Sequence, residues 1–255
     1  MREQAEQNKI AWEYRAYEMR TTKKPIQETA KEIRDDPKRF LRFHQNYFSD
    51  IAGKRIANVC GSDGRRTVPF AVLGAEATLF DISEPQIKYA LELAEAVGVK
   101  LEYVLGDFIE TDVTKHGNMF DFVYTEGGII GYFSDIDAFT KMLYAITKPG
   151  GQLILSDFHP FRKVIDVEAL NGDYFDSRMC DSNVPLHIFA PAEEQSAFPK
   201  ILKRSYTISE IINSVIASRF TLNEFLEHRY TEYKDGKLPA EFTIVANKNK
   251  NNLVN

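Results

Sequence analysis

The chain has 255 residues, 44% of them hydrophobic and 27% charged, and its 32 basic and 37 acidic side chains leave a net charge of -5. That length suits one α/β core with added helices, and no Lys/Arg block is long enough to form a continuous phosphate-binding stripe, which argues against nucleic acid as a partner. Cys60 and Cys180 give neither a disulfide framework nor paired metal-ligand spacing, so no metal is expected. The charged amino terminus and the lack of a long apolar run predict a soluble, cytoplasmic protein that is neither exported nor membrane-spanning.

The first fifty residues read as three helical pieces. Ile10, Tyr14 and Tyr17 form an imperfect helical stripe with Trp12 and Met19 nearby, and Pro25 and Pro37 each suit a first helical turn, the second behind an Asp35-Asp36 cap. From Arg55 strand and helix alternate. Ile56, Ala57 and Val59 make the apolar run of a strand buried on both faces of a parallel sheet. A Gly-containing turn and a helix lead to a second strand ending on Asp81. Ser83 and Gln86 then predict a capping box, with Ile87, Ala90, Leu91, Ala94 and Val97 on the buried face and Gly98 as the stop.

A third strand is expected over Leu101 to Leu105, a fourth over Phe120 to Thr125, and a helix over Asp135 to Thr147 that stops at Lys148-Pro149-Gly150. The fifth strand is Gln152 to Asp157. The stretch Phe158 to Lys200 is too long for a simple connection. The last large helix is read over Ser205 to Arg219, followed by two strands able to pair as a hairpin and a frayed tail, KNKNNLVN.

A tight loop and a carboxylate at the carboxyl ends of adjacent parallel strands form a place where α/β folds bind nucleotide-like ligands. The ordered set Cys60-Gly61-Ser62-Asp63-Gly64, Asp81, Asp107 and Pro149-Gly150-Gly151 resembles the class I S-adenosylmethionine-dependent methyltransferases, over roughly Phe48 to Asn247. The resemblance implies a three-layer α/β sandwich around a seven-stranded, mostly parallel, Rossmann-like sheet. Residues 1–50 would form an N-terminal helical lid and 51–255 the cofactor-binding core, with a cap inserted at about 158–200. It also implies methyl transfer from S-adenosylmethionine to a small-molecule acceptor, by a monomer or homodimer.

On the same resemblance, Asp81 and Ile82 take the ribose end of the cofactor, and Asp107 and Phe108 the adenine. Asn58, Cys60, Gly61, Ser62, Gly64 and Thr125 complete the cofactor set. The glycine loop departs from the family pattern: Asn58 stands where an acid is usual, Cys60 and Ser62 replace glycines, and Gly61 is expected to take over the turn. A base is needed only if the acceptor must lose a proton, and His159, oriented by Asp157, is the candidate, ahead of His187 and His44. Trp12, Tyr14, Tyr17, Tyr132 and His187 are expected around the acceptor. Two rivals are a NAD(P)-dependent Rossmann oxidoreductase, which needs a G-x-G-x-x-G turn the chain lacks, and a non-catalytic S-adenosylmethionine-binding protein.

Overall fold

The computed structural model describes residues 2–166 and 172–250. Its strands are β1 (Arg55–Val59), β2 (Glu76–Asp81), β3 (Glu102–Leu105), β4 (Phe120–Glu126), β5 (Thr147–Phe158), β6 (Met179–Asn183), β7 (Lys200–Arg204), β8 (Thr221–His228) and β9 (Glu241–Asn247). Its helices are α1 (Arg2–Glu13), α2 (Ala16–Lys23), α3 (Ile26–Asp35), α4 (Val68–Val72), α5 (Glu84–Val97), α6 (Val113–His116), α7 (Ile136–Ile146), α8 (Pro160–Asp166) and α9 (Ile208–Ala217). Seven strands form one sheet in the order β3-β2-β1-β4-β5-β9-β8, and β6 pairs with β7 apart from it. This is the mostly parallel α/β sheet that the alternation of strand and helix predicts.

The chain divides into two compact units. One comprises Glu6–Thr111 and Asn183–Ile201. In it β1 runs parallel to β2 and β2 to β3, with Asn58 opposite Leu79 and Asp81 opposite Leu105. Its helical core gathers Ala30, Ile33, Val68, Tyr89, Leu93 and Ala94, with Tyr17 and Ile26 packed against it. Ala11, Ala16 and Met19 are also buried, and Tyr17 carries α2 onto this core.

Helix α5 ends as read, at Gly98 in the left-handed conformation. Its start and its buried face differ from the reading. Ser83 is the N-cap residue but makes no side-chain cap bond, because its hydroxyl reaches the Trp12 carbonyl at 3.4 Å. Gln86 is buried with both amide atoms unpartnered among the described residues, so no capping box forms there. The buried face carries Gln86, Tyr89, Ala90, Leu93 and Ala94, and Leu91 is exposed. Packing against α2 and α3 rotates the helix away from the face that hydrophobicity alone selects. A capping box does occur at α9, where the Thr207 hydroxyl accepts from the Glu210 amide and the Glu210 carboxylate accepts from the Thr207 amide.

The other unit comprises residues 112–182 and 202–255 with the first five residues. There β4 and β5 are parallel, while β9 is antiparallel to both β5 and β8, which is the terminal hairpin expected. Strand β5 begins at Thr147, earlier than Gln152, and its pairing with β4 slips between Phe120 opposite Thr147 and Phe122 opposite Gln152. Pro149-Gly150-Gly151 is therefore a bulge inside the strand rather than a stop before it. Gly150 has φ 82°, and a Cβ at Gly151 would lie 2.9 Å from the Phe120 carbonyl oxygen. Among its described residues, the long stretch after β5 contains α8, β6 and two 3-10 turns. Residues 167–171 of the expected cap, and 251–255 of the expected frayed tail, lie outside the described residues.

Candidate functional site

In the first unit the loop after β1 leaves the sheet between two strand ends. Cys60 and Ser62 both adopt φ 53°, in the left-handed region, and Gly61 does not. The expectation that Gly61 takes over the turn is thus corrected. Gly61 is required for space: a Cβ there would sit 2.5 Å from Leu79 Cδ1 and 2.6 Å from Asn58 Oδ1. Gly64, at φ 73°, meets both demands, since a Cβ would also lie 2.8 Å from that of Ala90.

Asp81 ends β2 and holds this loop. One carboxylate oxygen accepts from the Ser62 amide at 2.8 Å and the other from the Ser83 amide at 3.0 Å. Burial raises its pKa to about 6 despite these bonds and one from the Ile82 amide. Asp107 caps the short turn Phe108–Glu110 by accepting from the Ile109 amide at 3.1 Å, and burial raises its pKa as well. Phe108 is buried edge-on against Phe80. Burial, with Asp81 and Asp107 nearby, pushes the Cys60 thiol up, which keeps it neutral.

Asn58 is 2% exposed, and its amide oxygen accepts from the Thr67 hydroxyl at 2.7 Å. That bond ties β1 to the start of α4. The sequence reading also passed over Asp63. Its carboxylate is 6% exposed and meets Arg20 Nε at 3.0 Å and Arg65 Nε at 2.8 Å, with the Arg20 side chain only 11% exposed. These partners hold the Asp63 carboxyl below its ordinary range against the cost of burial. Arg20 lies 43 residues upstream in a helix, and no local pattern marks such a pair.

The aromatics of the amino terminus go to different places. Tyr17 packs edge-on against Tyr89, donates a hydrogen bond from its hydroxyl to Glu92 and lies under Lys88. Its expected place in an acceptor pocket is corrected to a joint between α2 and α5. Tyr14 meets Phe198 edge-on at 5.0 Å, and the Trp12 carbonyl receives the Ser83 hydroxyl. His187 has Nδ1 2.9 Å from the Val184 carbonyl, and His44 is fully buried beside Phe43.

In the second unit His159 and Asp157 do not form the expected pair. Asp157 accepts from the amides of Ile130 at 2.8 Å and Phe158 at 2.6 Å. His159 is 3% exposed, with Nε2 3.0 Å from Glu227 and Nδ1 accepting from the Phe161 amide at 3.2 Å. Burial lowers its pKa. Nε2 is turned to Glu227 and the Nδ1 lone pair accepts from the Phe161 amide, so both ring nitrogens are engaged within the protein and tie the end of β5 to β8, which argues against the expected base role. Thr125 is buried on β4, with its hydroxyl unpartnered among the described residues. Tyr132 sits in the turn after β4 with Lys203 Nζ 4.5 Å from its ring centroid. No group of three or more His, Cys, Asp or Glu able to hold a metal occurs among the described residues, and none of their helices is long and apolar enough to cross a membrane.

Comparison with known proteins matches residues 56–151 to the family described as "Methyltransferase domain". The demethylmenaquinone methyltransferase of Renibacterium salmoninarum is 24% identical over 209 residues, which span 80% of this chain and 84% of that protein. Among solved structures, a methyltransferase from Methanosarcina mazei superposes with a TM-score of 0.63 at 18% identity, covering 82% of this chain and 97% of that one. The magnesium protoporphyrin IX methyltransferase of Synechocystis PCC 6803, solved with bound SAH, gives 0.55 at 15% identity over 87% and 82%. The matched stretch begins in β1 and ends in the β5 bulge, so it contains the loop, Asp81 and Asp107 in the order read from the sequence. Residues 56–151 thus match a methyltransferase domain, and the chain is similar in sequence and fold to S-adenosylmethionine-dependent methyltransferases.

Proposed function

We propose that the loop Cys60–Gly64 and the ends of β2 and β3 hold S-adenosylmethionine, and that the methyl group passes to a small-molecule acceptor. The observation that carries this reading is the state of Asp81. Its two oxygens are oriented by backbone amides, yet burial still raises its pKa to about 6, so the carboxylate has lone pairs and an energetic incentive to accept further donors. A ribose diol supplies two such donors. Asp107 is in the same condition with one amide bond, which suits an exocyclic amino group, and Phe108 adds a backbone amide and an apolar ring. These residues fit the cofactor in charge and in hydrogen-bonding sense.

When bound, the cofactor supplies a methyl group already activated on a sulfonium. The chain then has to align the partners and exclude water, and it needs no residue to generate an electrophile. The small-molecule reading draws support from the acceptors named in the demethylmenaquinone and magnesium protoporphyrin IX methyltransferases and from the net charge of -5. Calorimetry with S-adenosylmethionine, S-adenosylhomocysteine and NAD tests it. Binding of the first two and not the third is expected, and NAD binding without S-adenosylmethionine binding would overturn it.

A further inference from the structure

Four side chains from four separate elements converge beside the carboxyl ends of β4 and β5. Asp157 is the last residue but one of β5, Tyr132 lies in the turn after β4, Lys163 is on α8 and Lys203 on β7. Lys203 Nζ stands 4.5 Å from the Tyr132 ring centroid, and Lys163 Nζ reaches the Arg204 carbonyl at 3.3 Å. Gly131 marks how tightly they meet: a Cβ there would lie 3.7 Å from Lys163 Nζ, 3.8 Å from Lys203 Cβ and 2.9 Å from the Arg204 carbonyl oxygen.

The charges in this cluster do not balance. Two ammonium groups face one carboxylate, and Asp157 spends its oxygens on the amides of Ile130 and Phe158. Neither lysine makes a direct ion pair among the described residues, and Lys203 Nζ has no hydrogen-bond acceptor among them. The neighbouring Arg204 is different, since its guanidinium pairs with Glu210 at 2.8 Å. Burial lowers the pKa of both lysines, Lys203 to about 8, so each charge is held at a cost that an anion would relieve. Ligands of open α/β sheets bind beyond the carboxyl ends of the strands, and this cluster is at that end of β4 and β5.

We propose that Lys203 and Lys163, with the Tyr132 ring beside them, form a subsite for an oxyanion, a carboxylate or a phosphate, carried by the methyl acceptor. This rests on the methyltransferase reading and narrows it to acidic acceptors. The test uses the full chain labelled with ¹³C-lysine, with the side-chain signals of the two residues assigned through Lys203→Arg and Lys163→Arg. Benzoate, inorganic phosphate and neutral benzamide are titrated in turn, with S-adenosylhomocysteine affinity measured by calorimetry on the same samples. Saturable shifts of both signals with benzoate or phosphate are expected, none with benzamide, and the responding anion identifies the carboxylate or the phosphate. Lys203→Gln should weaken anion binding by about tenfold or more while Lys203→Arg keeps it, the behaviour of a charge-assisted hydrogen bond. Silent lysine signals, or an equal response to benzamide, in a protein that binds S-adenosylhomocysteine overturn the subsite and leave the cofactor reading standing. Failure to bind S-adenosylhomocysteine counts against the cofactor reading itself.

Discussion

Strands β2 and β3 lead into acids, Asp81 and Asp107, whereas β4 and β5 lead into a cluster dominated by Lys163 and Lys203. Burial acts on both groups with the same physics and opposite sign: the carboxyls are raised and the ammonium groups lowered, each toward neutrality. What differs is the compensation. Asp81 receives three backbone amides, whereas Lys203 has the face of a tyrosine and the field of Asp157 but no hydrogen-bonded acceptor among the described residues. A third case, Asp63 between Arg20 and Arg65, is compensated inside the protein and serves the fold. On the proposed reading, buried charge marks a ligand-facing position where the chain leaves it partly unanswered.

The largest effect should come from the answered charge. Asp63→Ala would leave the buried Arg20 guanidinium without its carboxylate, at a cost of about 3–5 kcal/mol. Denaturant unfolding measures this, and an unchanged midpoint would mean that the pair does not anchor α2. Asp81→Ala should weaken S-adenosylmethionine binding by about 1.5–3 kcal/mol, the worth of hydrogen bonds to a charged group. Unaltered affinity in a folded variant would move Asp81 from the ligand-facing class to the structural one.

The same comparison sharpens with pH. Donors from a ligand favour the ionised Asp81, whose pKa without ligand is raised from 3.8 to about 6. Cofactor affinity should therefore fall as pH drops through about 6, by up to about tenfold per unit, with proton release on binding near pH 6 visible in buffers of different ionisation enthalpy. In the ligand-free protein the sign is opposite: the raised pKa contributes stability below about 3.8, and that contribution is lost as pH rises through about 6. The smallest effect is expected at His159. Because both its ring nitrogens are engaged, His159→Asn should leave turnover within about twofold and cost about 1 kcal/mol of stability. A fall in turnover of about a hundredfold or more with unchanged stability would restore it as a base.

The succession of the first five strands along the chain, the loop after β1, the acids that follow β2 and β3 and the terminal hairpin were legible in the sequence. Each is written locally, in an apolar run, a turn residue or a strand-ending carboxylate. Only the tertiary structure decided which polar side chains are occupied. Ser83 and Gln86 spell a capping box, but the Trp12 carbonyl takes the serine; the Asn58 amide oxygen accepts from Thr67, which no local pattern announces; His159 follows Asp157 in sequence, but bonds Glu227 instead. Arg20 with Asp63, and Lys163 with Lys203, are separated by about forty residues, a distance at which periodicity and spacing carry no information. Helices follow from neighbouring residues because their bonds are local, and strands because their apolar runs and bounding turns are written locally, while the partner of a buried polar group is set by whatever the fold brings within about 3 Å of it.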